Sequence, residues 1–256
     1  MTAVTAIAAG DSSAARRDAI ITLLREAGVD PTLEPFGNEP RAGVNIIVTL
    51  PGAGARAILI GAHYDRVGVG RGAVDNGGSC AALIELIRSF KASPMPGVTL
   101  EFVFFDREEN GLEGSRAYFA AASSRPALAL NLDIFAYGDA LFATSSPPDG
   151  RLLRELQAAG AAAGMPVRDV PRDRYPGSDH QSMMRAGVET LGLAMVDTAD
   201  VDAILQLGVA GLKPGQGPRI LTIIHTPNDT VAEVRPAQVA AGIAVVERLL
   251  RAVERE

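Results

Sequence analysis

The chain has 256 residues, of which 47% are hydrophobic and 21% are charged, so it can bury a large core and is not expected to be disordered. The 30 acidic and 24 basic residues give a formal net charge of -6 at pH 7, which argues against binding to nucleic acid or to an anionic membrane surface. The single cysteine, Cys80, excludes an internal disulfide and a zinc site built from cysteines. No apolar run reaches the roughly 20 residues of a membrane-spanning helix, and no secretory-signal pattern is found, so we expect a cytoplasmic protein.

The hydrophobic pattern alternates between segments of strand length and segments with helical spacing. In chain order it predicts a helix over residues 13–27, strands over 44–50 and 57–65, a helix over 79–90, a strand over 98–106, a helix over 112–122, a strand over 128–136, a helix over 152–163, strands over 190–196 and 220–225, and a helix over 236–251. The segment PGAGA between the first two strands predicts a hairpin turn. Because strands that are apolar on both faces alternate with helices, we expect a sheet covered on both sides, which is a three-layer α/β/α sandwich.

Neither a break in composition nor an internal repeat divides the sequence, so we predict a single domain over residues 1–256. Three segments between predicted elements are rich in Gly, Pro and Asp, namely 138–150, 171–178 and 197–219. We expect them to be loops that border a cleft, because ligands of open α/β sheets bind beyond the carboxyl ends of the strands.

Two histidines lie at such strand ends. His63 and Asp65 close the predicted strand 57–65, and residues two apart on a strand point to the same side. The Asp65 carboxylate could therefore hold the His63 imidazole and fix its tautomer, although an ordinary surface hydrogen bond is the alternative. His225 ends the predicted strand 220–225, and its alternative is a core histidine paired with a neighbouring acid.

Four acidic residues extend this pattern. Glu108 and Glu109 follow an apolar strand, and because neighbouring side chains diverge, one could bind a metal while the other acts as a base. A solvated strand end is their alternative. Asp75 lies in the glycine-rich segment GRGAVDNGGS, which can hold a buried carboxylate or form a simple turn or helix cap. Asp133 interrupts the apolar strand LALNLDIFA, where a carboxylate requires a cation, a hydrogen-bond donor or a salt bridge.

Five segments, taken in order, resemble the signatures of the zinc aminopeptidases of peptidase family M28. They are GAHYDRVGVGRGAVDNGGS, FFDREENGLEGSRAYF, NLD, SDH and HTPNDT. The resemblance extends from about residue 58 to about residue 230, and five short motifs in register make it specific. It implies the zinc-exopeptidase form of the α/β/α sandwich, with a central mixed, mostly parallel sheet. It also implies a metal-dependent hydrolase that acts on the N-terminal bond of peptides.

By that resemblance, two zinc ions are bound per chain. The implied ligands are His63 and Asp133 for one ion, Glu109 and His225 for the other, and Asp75 as the bridge between them. Glu108 would be the general base, and Asp65 would support the first histidine. The charges of two Zn²⁺ ions balance those of three carboxylates and one hydroxide. Oxygen and nitrogen ligands without thiolate suit a catalytic zinc site, with cobalt and manganese as alternatives.

Two positions depart from the family pattern. Ile224 stands where the family often has a tyrosine, which removes a phenol that could hydrogen-bond the developing oxyanion. Met183 stands where an aromatic residue is common, which implies a changed specificity pocket. We expect Asp179 and His180 of the SDH motif to be polar support near the cleft, with capping of a helix at 181–186 as the alternative.

Three other functions compete with that of a peptidase. A glutaminyl cyclase would be a related single-zinc acyltransferase, but those enzymes usually carry a tryptophan near the pocket and this chain has none. A serine hydrolase would use Ser79, yet a nucleophile elbow directly follows a strand and GVGRGAVDNGG lacks a strand pattern. A non-catalytic binding module would have lost a ligand, whereas all five proposed ligands and the base are present.

Overall fold

The computed structural model describes residues 1–122, 125–206 and 217–255. The helices are α1 (Thr2–Ala9), α2 (Ser13–Glu26), α3 (Gly78–Ala92), α4 (Glu113–Ala121), α5 (Arg151–Ala163), α6 (His180–Arg185), α7 (Val201–Gln206) and α8 (Pro236–Glu254). The strands are β1 (Thr32–Phe36), β2 (Gly43–Leu50), β3 (Ala57–His63), β4 (Thr99–Phe105), β5 (Leu128–Leu132), β6 (Ala140–Ser146), β7 (Val167–Asp169) and β8 (Glu189–Val196).

The strands form one sheet in the order β1-β2-β4-β3-β5-β8-β6-β7 among the residues described. Its centre is parallel, because β3 pairs in parallel with β4 on one side and with β5 on the other, and β5 pairs in parallel with β8. Antiparallel pairs flank this centre, between β2 and β4 and between β6 and β8. The sheet is therefore mixed and mostly parallel, and its central strands end at the same edge.

The central strands are buried on both faces because helices cover each side of the sheet. Along β3, Ile58 and Ile60 belong to the large apolar cluster that also contains residues of α3 and α8. Leu59, which lies between them, packs on the opposite face with Phe119 of α4 and Met183 of α6. A parallel strand buried in this way is a continuous apolar run, which is the pattern that the sequence shows. The α/β/α sandwich is confirmed.

Two predictions about the second half of the chain are wrong. The expected loop 138–150 contains β6, which lies within the sheet between β8 and β7. The expected strand 220–225 is instead a 3₁₀ turn, Arg219–Thr222, followed by further turns. Its residues Ile220 and Ile223 are buried in a second apolar cluster, which also contains residues of β6 and β8. A short apolar run indicates burial, but it does not distinguish a strand from a packed turn.

The predicted hairpin between the first two strands is also wrong, because β2 and β3 lie on opposite sides of β4. The PGAGA connection crosses the start of β4, where the backbone N–H of Ala53 donates to the carbonyl of Pro96 at 2.8 Å. A Cβ atom on Gly52 would lie 2.2 Å from the carbonyl oxygen of Val98. The glycines therefore permit a close crossing of two backbones rather than a tight turn.

The hydrophobic pattern did not predict four short elements, namely α1, β1, β7 and α7. The expected loop 171–178 is present between β7 and α6, whereas 207–216, within the expected loop 197–219, lies outside the described residues. Among the residues that the structure describes, none of the helices combines the length and the hydropathy needed to cross a bilayer.

Candidate metal centre

The predicted site residues lie just beyond the carboxyl ends of the neighbouring parallel strands β4, β3 and β5. His63 is the last residue of β3, Glu108 and Glu109 follow β4 within four residues, and Asp133 comes directly after β5. Because neighbouring parallel strands end at the same edge, the topology brings together residues that are far apart in sequence. The remaining two predicted ligands, Asp75 and His225, lie at this edge but belong to segments outside the strands.

The first group of ligand atoms surrounds the imidazole of His63. Its Nε2 atom lies 3.3 Å from Oδ1 of Asp75 and 3.5 Å from Oδ1 of Asp133. The three side chains are 1%, 7% and 17% exposed, respectively. One imidazole nitrogen and two carboxylate oxygens therefore face one another in a largely buried position.

The second group uses the other oxygen of Asp75. Nε2 of His225 lies 3.1 Å from Oδ2 of Asp75 and 3.3 Å from Oε1 of Glu109. The side chain of His225 is 51% exposed, so this group opens toward solvent. Asp75 belongs to both groups through its two oxygens. The structure thus brings all five predicted ligands together.

The spacing of these atoms fits divalent metal ions. Zn²⁺ binds imidazole nitrogen and carboxylate oxygen at about 2.0–2.1 Å, so the atoms of a tetrahedral shell lie about 3.3–3.4 Å apart. The four separations, from 3.1 to 3.5 Å, fall around this value. Oε1 of Glu109 and Oδ1 of Asp133 are buried without a hydrogen-bond partner among the described residues. Each imidazole nitrogen therefore has two carboxylate oxygens at distances typical of an open zinc site, and His63, Asp75 and Glu109 each place one ligand atom within 4.8 Å of the other two.

Without a cation the cluster holds an excess of negative charge, and the pKa values reflect it. The pKa of Glu109 is raised to about 7, first by burial and then by the charge of Asp75. A hydrogen bond to Asp75 is the main reason that the pKa of His225 is raised to about 9. Burial lowers the pKa of His63, but contacts with carboxylates, foremost that of Asp133, hold it well above its ordinary value. The carboxylates around both imidazoles therefore favour positive charge at these positions, which suits metal ions.

Asp65 supports both groups. Its Oδ1 lies 3.3 Å from Nδ1 of His63, which places the carboxylate behind the imidazole. Its two oxygens also accept hydrogen bonds from the backbone N–H groups of Glu108, at 3.0 Å, and Glu109, at 3.1 Å. The sequence pattern indicated only the first contact. The second contact holds the turn that carries both glutamates.

The loop that carries Asp75 is held by residues that the sequence analysis missed. Buried Asp229 accepts hydrogen bonds from two successive backbone N–H groups, the second being that of Asp75, at 2.7 and 3.3 Å. The side chain of Asn76 donates to the carbonyl of Leu132 at 3.0 Å and accepts from the N–H of Ile134 at 3.1 Å. Both polar residues lie inside the quoted motifs, so they were visible in the sequence, but their backbone partners were not.

Three residues at the site have left-handed backbone conformations. The φ angles are 59° at Arg107, 56° at Ile134 and 56° at His225. In residues other than glycine such conformations cost on the order of 1–3 kcal/mol and concentrate at functional sites. Arg107 precedes Glu108 and Ile134 follows Asp133, so the chain turns sharply next to both acids.

Glu108 belongs to neither group of ligand atoms. The pKa of its half-buried carboxyl is raised to about 9, first by burial; charge on His63 opposes this rise, and the charges of Asp133 and Asp179 add to it. Its side chain is therefore within electrostatic range of the cluster. A carboxyl group in this position can hold and release a proton beside bound metal ions.

Asp179 and His180 are buried beside the cluster and belong to neither group. Asp179 precedes α6, but its side chain makes no capping hydrogen bond within the part of the chain that the structure describes. Burial raises the pKa of Asp179 to about 7 and lowers that of His180 to about 4. The His180 ring meets the ring of Tyr175 edge-on, with 5.2 Å between centroids. Helix capping by Asp179 is therefore not seen among these residues, and polar support by both side chains stays a prediction.

Ser79 and Met183 have structural contacts. Ser79 is fully buried, and its Oγ accepts a hydrogen bond from the backbone N–H of Phe135 at 2.9 Å. Because this hydroxyl is neither exposed nor at the end of a strand, it does not suit a serine nucleophile. Met183 is fully buried in an apolar cluster with Phe105. Met183 does not line the cavity beside the cluster, and its effect on a specificity pocket stays a prediction.

That cavity has a volume of about 140 Å³ and opens next to Asp133. Its walls are almost entirely apolar and include Phe142, Ala194, Leu221 and Ile224. An apolar cavity of about 150 Å³ in another protein is large enough to hold benzene. The cavity therefore has room for one apolar side chain of moderate size, and Ile224 lines it directly before the predicted ligand His225.

The fold and the cluster define a class of mixed α/β/α proteins with a candidate metal-binding edge. The model of peptidase family M28 matches residues 45–250, and the chain belongs to that family. It is 29% identical over 184 residues to Leupeptin-inactivating enzyme 1 of Streptomyces exfoliatus, a match that covers 66% of this chain and 40% of that protein. The chain thus spans less than half the length of this relative.

Two solved structures share the fold. A zinc aminopeptidase from Bacillus subtilis superposes with a TM-score of 0.68 and 21% identity over 84% of this chain and 51% of that one. The glutaminyl cyclase of Porphyromonas gingivalis superposes with a TM-score of 0.78 and 18% identity over 97% and 95% of the two chains. At these identities the similarity establishes the architecture.

Proposed function

We propose that this chain is a di-zinc aminopeptidase, a hydrolase that releases the N-terminal residue of a peptide. The observation that carries the proposal is the pair of groups that share Asp75, in each of which two carboxylate oxygens lie 3.1 to 3.5 Å from an imidazole nitrogen, as in a zinc shell. Membership of family M28 supports it, as does the fold shared with a zinc aminopeptidase. Because the ligands span residues 63 to 225, we also propose that residues 1–256 act as one catalytic domain.

Five residues would hold the metal ions. They are His63 and Asp133 for one ion, Glu109 and His225 for the other, and Asp75 for both. When bound, the ions would lower the pKa of a water molecule and polarise the scissile carbonyl group. Asp65 keeps His63 in place through Nδ1 and keeps the glutamate turn in place through two backbone N–H groups. Such contacts behind the ligands preserve the geometry that metal binding requires.

Glu108 is the proposed general base. Its carboxylate takes a proton from the attacking water and then delivers that proton to the nitrogen of the leaving amine. The pKa of about 9 describes the carboxyl group of the metal-free protein, where burial favours the protonated form. Divalent cations nearby would favour the ionised form, which is the form a base requires.

The surroundings of the cluster indicate the substrate class. A free α-amino group carries positive charge, and the acidic residues around Asp133 would attract it. The adjacent cavity of about 140 Å³ would then receive the side chain of the same residue. Because its walls are apolar, we propose that substrates begin with an apolar residue of about the size of leucine or phenylalanine.

Zinc analysis together with a substrate panel tests this proposal. Protein purified with zinc is expected to contain about two zinc ions per chain and to release p-nitroaniline from leucyl p-nitroanilide, with activity lost to a chelator and restored by zinc. Cyclisation of an N-terminal glutaminyl peptide without release of amino acids would instead support a glutaminyl cyclase. Absence of bound zinc and of both activities would support a non-catalytic module.

The cavity can be tested separately with Leu221→Asp. Leu221 is 44% exposed, so an acid is tolerated there, but it would place negative charge at the cavity wall. We expect kcat/KM for leucyl substrate to fall about 10- to 200-fold relative to lysyl substrate. Leu33→Asp is the matched control, because Leu33 is 46% exposed on β1 and does not line the cavity. An unchanged ratio in both variants would place the substrate side chain elsewhere.

A further inference from the structure

The side chain of Arg16, on α2, is fully buried and points at the loop between two of the proposed ligands. All three of its guanidinium nitrogens donate to backbone carbonyls. Nε donates to Tyr64, Nη1 to Arg71 at 3.0 Å, and Nη2 to Gly72 at 3.0 Å. The loop over residues 64–74, called here the ligand loop, begins directly after His63 and ends directly before the bridging aspartate.

These contacts join the two ends of the ligand loop. Tyr64 is the neighbour of His63, and Gly72 lies three residues before Asp75. A guanidinium group is planar and rigid, so three bonds from it fix the relative positions of the carbonyls that accept them. Arg16 therefore constrains the separation between two proposed ligands without touching either.

Side chains of the ligand loop in turn donate hydrogen bonds to the backbone of α1 and of the turn between α1 and α2. Arg71 donates to the carbonyls of Ala8 and Ala9, at 3.0 and 2.7 Å, at the end of α1. Arg66 donates to the carbonyl of Asp11 at 2.9 Å, in the turn before α2. Apolar contacts reinforce this docking, because α1 residues share a buried cluster with Val74.

The buried guanidinium group of Arg16 also lies within electrostatic range of two carboxylates at the site. Among the described residues it makes no ion pair, and its bonds run to neutral carbonyls. Asp65 and Asp229 are the carboxylates that interact with it electrostatically. These two residues hold the glutamate turn and the backbone at Asp75, respectively.

We infer that Arg16 is a positioning residue of the metal centre, and that the helix pair α1–α2 is part of the machinery that holds the ligand loop in its metal-binding form. The helix pair lies outside residues 45–250, the part of the chain that the family model matches. The inference rests on the proposed function only in that the cluster binds zinc. It makes no use of the substrate.

Zinc affinity, measured by competition with a chelator of known affinity, tests the inference. Arg16→Met removes the donor and the charge, and we expect zinc to bind about 10- to 100-fold more weakly, the range seen when residues behind metal ligands are changed. Arg16→Lys keeps the charge but loses the planar fork, so its affinity should be intermediate. Arg25→Met is the matched control, because Arg25 lies on the same helix and is 67% exposed.

A merely structural role predicts a different result. Arg16→Met would then lower the melting temperature of the metal-free protein but bind zinc as tightly as the control does. Our inference predicts weaker binding at a temperature where the metal-free variant is folded, and recovery of most kcat at saturating zinc. If Arg16→Met does not fold, Arg16→Lys decides, because unchanged zinc affinity would overturn the inference. Wild-type protein that binds no zinc would instead contradict the proposed function.

Discussion

The two halves of the candidate metal centre differ in their surroundings. His63 and Asp133 lie at the ends of neighbouring central strands, and the imidazole of His63 is 1% exposed. Glu109 and His225 lie in turns, and the side chain of His225 is 51% exposed. The two halves offer the same types of ligand atom at similar spacings, and they share Asp75. They therefore differ mainly in the exposure of their histidines, since Asp133 and Glu109 are 17% and 12% exposed.

This difference has a physical cause in the sheet. A residue at the end of a buried parallel strand moves only if the core moves, and the core is close-packed. A residue in an exposed turn is restrained by fewer contacts, and such segments open locally at a lower free energy. We call His63 and Asp133 the strand-end half and Glu109 and His225 the turn half. We expect the strand-end half to bind its ion firmly and the turn half to exchange its ion more readily.

The largest expected effect concerns a residue outside both halves. Glu108→Gln removes the proposed base while leaving all the ligand atoms, so kcat for an aminoacyl p-nitroanilide should fall about 10²–10⁴-fold with two zinc ions still bound. Elemental analysis of the same preparation supplies the control. Loss of one ion from this variant would mean that Glu108 is itself a ligand, and the division into two halves would need revision.

The next effect tests the two halves directly. Zinc release to a chromogenic chelator should occur in two phases whose rates differ by about tenfold, equivalent to about 1.4 kcal/mol in barrier height. His225→Ala should retain about one ion, released at the slow rate, and His63→Ala should abolish the slow phase. A single phase in the wild-type protein would show that the exposure of His225 does not control exchange.

The smallest effect concerns the support of the turn half. Asp197 accepts two hydrogen bonds from Arg235, at 2.5 and 3.0 Å, and one from Tyr137 at 2.6 Å. Arg219, at the start of the segment that carries His225, donates to the same tyrosine hydroxyl at 2.8 Å. Asp197→Asn should lower the free energy of unfolding at pH 7 by about 1 kcal/mol, because these partly exposed groups are screened by solvent.

This stabilisation should depend on pH. Burial raises the pKa of Asp197, but the bonds from Arg235 and Tyr137 outweigh it and hold the pKa below its ordinary value. The contribution is therefore present above the unfolded-state pKa of about 3.9 and is lost as the pH falls through the folded-state pKa. Urea unfolding at pH 7 and near pH 3 measures it, with Asp18→Asn as the exposed control. An equal difference at both pH values would contradict the assignment.

The fold could be predicted where local pattern and burial coincide. Strands such as β3 and β5 are largely apolar because both faces are covered, and their length and residue types are typical of strands. The segment 220–225 has the same apolar character but packs as a turn, and β6 was hidden in a segment bounded by Gly and Pro. An apolar run indicates that a segment is buried. Whether the segment is a strand depends on the hydrogen-bond partners of its backbone, which the run does not indicate.

The residue types, their order and their positions after apolar strands were enough for the sequence by itself to nominate the acids and imidazoles of a metal site and the layered α/β architecture. Only the tertiary structure decided which oxygen faces which nitrogen, that Asp65 also holds the glutamate turn, and that Arg16 fastens the ligand loop. The contacts of Asp65 with the turn and of Arg16 with the loop are made with backbone groups, which every residue possesses. A sequence therefore carries no local mark of them, and they exist only once distant segments of the chain have been packed together.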